Sequence, residues 1–209
     1  MWIIEKKTKN IFNYKNNQKL LKTLLIDNFS PYINNIIKVL NDLDRDFTCH
    51  DCNYISSLDH NYLALLQKYD NIVLSGRQQN STLINRVNSN VVKECIHLDK
   101  PLLGICYGGQ ILALTLGCTL KKIERVYDIV QIDILKSTAL LPSYKAVKMF
   151  ESHNFCISKL SENLTLLGSS STCDNEFFCH NKKPLFGTQF HPEKSGRHGR
   201  FLIENFLKL

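Results

Sequence analysis

A chain of 209 residues, 44% hydrophobic and 22% charged, suits one domain with a full hydrophobic core. No apolar run approaches the roughly 20 residues needed to cross a bilayer, so the chain offers no membrane-spanning helix. The net charge of +7 is modest and gathers early, in Lys6, Lys7, Lys9, Lys15, Lys19 and Lys22. No nucleic-acid motif accompanies these lysines, so residues 1–21 read as a solvated basic extension and 22–209 as the folded domain. Docking onto a partner subunit is the other use open to the extension. Its one apolar patch, Trp2-Ile3-Ile4, is too short for the core of a secretory signal, and a cytoplasmic location is the expectation.

Thr23 to Ile26 reads as a buried strand, closed by a turn at Asn28-Phe29-Ser30-Pro31. Tyr32 to Leu43 carries apolar residues at 33, 36, 37, 39, 40 and 43, a helical spacing. Phe47-Thr48-Cys49 is a second strand, Asn61 to Tyr69 a short amphipathic helix, and Asn71 to Leu74 a third strand. Ser81 to His97 contains a helix, Pro101-Leu102-Leu103 a strand, and Ile111 to Leu116 another helix. From Ile123 the pattern turns towards β, with strands at Val130–Leu135, Ala146–Phe150, Leu164–Gly168 and Pro184–Phe186, and a closing helix from Gly199 to Leu207. Strands alternating with helices predict an α/β fold: an open, mostly parallel sheet with helices on both faces, extended by antiparallel strands. Ligands of such sheets bind at the carboxyl ends of the strands, where Ser75-Gly76, Cys106 and His191 fall.

The segment Gly104-Ile105-Cys106-Tyr107-Gly108-Gly109-Gln110 has the spacing of a nucleophile elbow with Cys in place of Ser. Glycines relieve the crowding of such a strand-to-helix turn, and the helix start would favour the thiolate of Cys106. That segment alone also admits a buried structural thiol. Gly187-Thr188-Gln189-Phe190-His191-Pro192-Glu193 decides between the two. A cysteine nucleophile needs a base, His191, and a group that orients the base, Glu193. Two residues apart on a continuing strand they would share a face, and Pro192 places both at the rim of the sheet. Of the other cysteines, Cys49 and Cys52 form a Cys-x-x-Cys with His60 nearby, but no second ligand pair accompanies them. They read as reduced and incidental, and neither a metal nor a cofactor is expected.

Together these two motifs resemble the class I (triad) glutamine amidotransferases, and the resemblance runs over about residues 22–209. It includes Thr23-Leu24-Leu25-Ile26-Asp27-Asn28, Ile72-Val73-Leu74-Ser75-Gly76, Glu151-Ser152-His153-Asn154 and the closing helix. The resemblance implies a flavodoxin-like fold and hydrolysis of glutamine to glutamate and ammonia, through a thioester on Cys106 with His191 and Glu193 completing a triad. It implies oxyanion donors at the backbone of Tyr107 and of the Gly76-Arg77 turn, and substrate contacts at Gln110, Ser152, His153 and Asn154. A separate ammonia-consuming synthase is the implied partner, because no nucleotide-binding motif lies in this chain. Cys106-Tyr107-Gly108 and the segment from Glu151 to Asn154 look most like the glutaminase of GMP synthase. The run after His191 is similar to that of imidazole-glycerol-phosphate synthase, and the opening strand to the glutaminases of anthranilate and aminodeoxychorismate synthase.

Two departures from the family pattern carry expectations of their own. Arg77 stands where relatives have Gly or Pro, so a left-handed turn there would be costly and would leave a catalytically impaired, regulatory relative. Gly109 stands where relatives carry His or Met, which predicts a reshaped pocket and leaves open another γ-glutamyl substrate.

Overall fold

The computed structural model describes residues 4–5, 21–58 and 61–209. Among the described residues, ten strands form one sheet. β1 (Ile4–Glu5) lies at one edge, antiparallel to β3 (Asp46–Asp51). Then come β2 (Lys22–Asp27), β4 (Asn71–Leu74), β5 (Leu102–Ile105) and β10 (Leu185–Thr188), all parallel to β3. Counted among themselves, these five have the order 2-1-3-4-5 of flavodoxin-like sheets. Beyond β10 follow the antiparallel strands β9 (Phe177–His180), β8 (Leu164–Ser169), β6 (Thr119–Ile134) and β7 (Ala146–Lys159). The expected parallel core with an antiparallel extension is thus present.

The central strands are continuous apolar runs because both faces of the sheet are covered. All four residues of β4 and of β5 are buried. Successive side chains serve opposite layers. Leu24 and Ile26 pack under α2 (Cys52–Ser57), α3 (Tyr62–Leu66), α4 (Thr82–His97) and α5 (Tyr107–Thr115), whereas Leu25 packs against α1 (Ile33–Asp42) and α6 (Gly196–Phe206). Side-chain caps start two helices: Asp51 accepts from the Tyr54 N–H at 2.9 Å, and Ser81 from the Ile84 N–H at 3.4 Å.

The structure departs from the sequence reading at several points. Ile4 and Glu5 pair with Cys49 and Thr48, so the basic segment is not wholly a solvated extension; the rest of residues 1–20 lies outside the described residues, as does His60. α5 starts at Tyr107, directly after Cys106 as the elbow requires, so its first turn is the glycine-rich segment ahead of the apolar run from Ile111. α6 starts at Gly196, where a backbone φ of 56° favours glycine. Cys49 and Cys52 are free and buried, and burial pushes both thiols up to about 12. The Cys52 thiol donates to Asn28 Oδ1 at 2.7 Å.

Candidate active site

Cys106, the Gly76-Arg77 turn and His191 follow the carboxyl ends of parallel strands, while Ser152, His153 and Asn154 come from the antiparallel β7. Cys106 follows β5 and precedes α5 with φ 50° and ψ −104°, a combination that a residue with a Cβ adopts only under strain. Its N–H donates to Thr188 O of the neighbouring β10 at 2.7 Å, and its carbonyl accepts the first helical bond, from Gln110 N, at 2.9 Å. The flanking glycines are required by contact. A Cβ on Gly104 would lie 2.4 Å from Gly108 O, and one on Gly108 would lie 2.5 Å from Leu74 O. The Tyr107 N–H, in the first turn of α5, has no acceptor within the helix.

His191 and Glu193 lie beyond the end of β10. The strand has ended before them, as Pro192 between the two implies, so strand alternation does not pair them. His191 makes a single bridge to Phe150 of β7, donating its N–H to the Phe150 carbonyl at 2.8 Å. Glu193 sits in a 3-10 turn, Pro192–Lys194. That tight turn folds the carboxylate back, so Glu193 Oε1 is 2.8 Å from His191 Nδ1 with both side chains buried. Burial disfavours the imidazolium, but the Glu193 carboxylate and the Cys106 sulfur outweigh it and hold His191 well above its ordinary range.

Gly76 joins the two halves: a Cβ there would be 3.1 Å from His191 Cε1 and 3.8 Å from Cys106 Cβ. Asn28 fixes the turn before it, donating its N–H to the Ser75 hydroxyl oxygen and its side-chain amide to the Ser75 carbonyl, both at 2.9 Å. Arg77 does not adopt a positive φ, so the expected backbone cost is absent. Its guanidinium stacks 3.8 Å from the Tyr107 ring centroid and donates to Asn85 Oδ1 at 2.6 Å, where the Tyr107 hydroxyl also donates at 3.0 Å.

Cys106, Tyr107, Gln110, Arg77, Ser152, His153 and Asn154 line one cavity of about 290 Å³. A second lobe of about 520 Å³ shares Arg77, Ser152, His153 and Asn154 and reaches His191, Tyr32 and Arg125. Every site residue expected from the sequence is thus in or beside one cleft, apart from Glu193, which backs His191. Gln110 is committed to protein: its Nε2 donates to Phe155 O at 3.0 Å and to Gln189 Oε1 at 2.9 Å. Gln189 in turn points its Nε2 at Cys106 Sγ, 3.6 Å away.

Gly109 does not shape the cleft. Its Cβ would strike Thr188 O at 2.7 Å, so the residue lets α5 pack closely on β10, and the expectation of an altered pocket is corrected. Tyr32 and Asn85 belong to no motif of the sequence, and Gln189, within the motif of His191, carries no role of its own there. Tyr32 stands edge-on to His191 at 4.8 Å, under the Lys194 ammonium 4.1 Å from its ring.

The family model for class-I glutamine amidotransferases matches residues 24–209. The chain is 31% identical to a subunit of the glutamine-hydrolyzing GMP synthase of Thermoplasma acidophilum over 194 residues, 90% of this chain and 92% of that one. It is 27% identical to the corresponding GMP synthase subunit from Methanospirillum hungatei over 91% of this chain and 96% of that one. A crystal structure of a GMP synthase subunit from Thermoplasma acidophilum superposes with a TM-score of 0.80 at 27% identity, covering 92% of this chain and 94% of the other. A glutamine amidotransferase from Thermotoga maritima shares the fold, with a TM-score of 0.68 at 18% identity over 90% and 82% of the two chains.

Proposed function

The chain belongs to the class-I glutamine amidotransferase family, and from that premise we propose that it is the glutaminase subunit of a two-chain GMP synthase. The observation that carries the reading is Cys106 on its strained elbow, beside the hydrogen-bonded His191–Glu193 pair and open to a cavity.

In this reading the Cys106 thiolate attacks the side-chain amide carbon of glutamine. Backbone N–H groups of Tyr107 and of the Gly76-Arg77 turn hold the developing oxyanion. His191 passes a proton to the departing ammonia, then takes one from the water that cleaves the thioester and releases glutamate. Glu193 holds the imidazole with Nδ1–H towards itself and stabilises the protonated form, consistent with the raised proton affinity of His191. Ser152, His153 and Asn154 border the space for the amino-acid end of glutamine, and Gln110 acts through Gln189. Ammonia passes to a separate synthase chain. Its cytoplasmic location belongs to the same reading; among the described residues no helix is long and apolar enough to cross a membrane.

The test is reconstitution. Mixed with the synthase chain of its source, the protein should release glutamate from glutamine and support glutamine-dependent GMP formation. If the synthase makes GMP from ammonium salts while glutamine yields neither product, the proposal fails.

The alternative of a catalytically impaired relative rested on a left-handed turn at Arg77, and Arg77 has no positive φ. The guanidinium over the Tyr107 ring supports a positioning role instead. Arg77→Gly should therefore lower glutamate release about fivefold, the worth of a cation–π contact of ~1 kcal/mol. A rate above that of the unaltered chain would favour the impaired reading.

A further inference from the structure

Behind the cleft lies a buried group that the reaction does not use. Glu151 and Glu176 are both fully buried, and His153 nearly so. Period-two alternation on β7 turns Glu151 and His153 inward, while Ser152 between them is only partly buried and Asn154 is exposed. The hydrogen bonds around the two carboxyls can be counted. Glu151 Oε2 faces His153 Nε2 at 3.0 Å and accepts the Thr172 hydroxyl at 3.0 Å. His153 Nδ1 faces the Phe155 carbonyl at 3.0 Å, which can only accept, so that nitrogen carries a proton. Glu176 Oε1 accepts the Ser170 hydroxyl at 2.7 Å. Glu151 Oε1 and Glu176 Oε2 are left, buried, with no donor.

One side-chain N or O atom from each of Glu151, His153 and Glu176 lies within 4.8 Å of the other two, so two ionised carboxylates in such a place would repel strongly and strand both oxygens. One proton between them removes the repulsion and satisfies both. We propose that Glu151 and Glu176 share a single proton through these two oxygens, and that this proton sets the position of the cleft wall at Ser152–Asn154. The two are positioning residues, acting through the backbone of β7 and through Gln189, whose N–H donates to Glu176 O at 2.7 Å. Their effect on catalysis rests on the glutaminase reading; the shared proton does not.

Burial and the neighbouring Glu151 charge hold Glu176 well above its ordinary value of 4.5, against the opposing Ser170 and Thr172 hydroxyls. The other titratable or charged groups nearby are His153 and Cys156 on β7, Cys173 and Asp174 on the loop before Glu176, and Lys121 on β6, which pairs with Asp174 at 3.7 Å. All of them remain when Glu176 becomes Gln. The sign follows from linkage. The folded state keeps a proton that the unfolded chain releases above pH 4.5, so stability falls as pH rises from there to the raised folded-state value.

Glu176→Gln replaces the shared proton by a permanent amide donor. The ratio of the wild-type to the variant folding constant should fall about tenfold per pH unit through that window, and the variant should lack this loss. KM for glutamine, which the folded chain alone sets, should stay level across that window and rise in the wild type only as pH passes the raised folded-state value, while the variant stays level throughout, with kcat less affected. Glu176→Met, of similar length without a donor, should show the raised KM at every pH. Parallel stability curves for wild type and Glu176→Gln would overturn the proposal. Should the variants fail to fold, the infrared spectrum of the wild type at neutral pH decides: a protonated carboxylic acid band that moves in D2O is expected, and its absence overturns the proposal. One divalent metal ion per purified chain would do the same, by putting a cation where the proton is placed.

Discussion

Cys106→Ser is expected to lower glutamate release by a factor on the order of 10⁴, with the fold retained. The hydroxyl is a far weaker nucleophile than the thiolate, and the His191–Glu193 pair beside it is set for a sulfur. The companion variants carry a sharper sign. At most positions glycine is less stable than alanine, because it frees the unfolded chain. Here the order should invert. The backbone at position 106 lies at φ 50° and ψ −104°, which costs any residue with a Cβ on the order of 1–3 kcal/mol. Cys106→Gly should therefore be more stable than Cys106→Ala by about 1 kcal/mol, although both are inactive. Chemical denaturation of the two variants side by side checks it; a more stable alanine variant would mean that the elbow stores no strain.

Gly199→Ala should be the most destabilising single methyl in the active half of the molecule. The added carbon would sit 1.8 Å from Pro192 O and 2.6 Å from Pro192 C, backbone atoms with no rotamer to yield. Either α6 withdraws, exposing Leu202, Ile203 and Phe206, or the 3-10 turn carrying Glu193 moves away from His191. A cost of about 3 kcal/mol would lower the melting temperature by roughly 6–12 °C in a chain of this size. If the turn is what moves, kcat should fall more than KM changes, since Glu193 borders neither lobe of the cleft. An unchanged melting temperature would show that α6 and the turn are not in the close contact described.

The parts of this fold that were legible are those where burial imposes a simple pattern. β2, β4 and β5 read as strands because a doubly covered strand has no polar face to interrupt the run. The extension read poorly for the opposite reason. β6, Thr119–Ile134, is open to solvent over most of its length, so its side chains follow no apolar rhythm, and sequence reasoning found only its last third. The four-residue β9 and the six-residue α2 were too short to generate a period. Within the site, Cys106, His191 and Glu193 were legible because elbow and base each sit in a motif of fixed spacing. Pro192 marks the end of the strand there, but the 3-10 turn that brings Glu193 to His191 has no signature of its own in the sequence. Tyr32 and Asn85 meet His191 and Tyr107 through tertiary packing from distant elements, which leaves no local trace, and Gln189 shares the motif of His191 without a pattern that marks its contact with Cys106.

β10 lies between β5 and β9, with Leu185 opposite Leu102 in a parallel pairing that the chain closes across most of its second half. That pairing carries Thr188, whose carbonyl holds the Cys106 N–H, and leads directly into His191 and Glu193. A ribosome has therefore to deliver the entire antiparallel extension before nucleophile and base can meet. Parallel pairings of such long separation are slow to form. A partly assembled form lacking β10 has neither the carbonyl that holds the Cys106 N–H nor the base beside the sulfur, so the site is completed only by the last strand to be made.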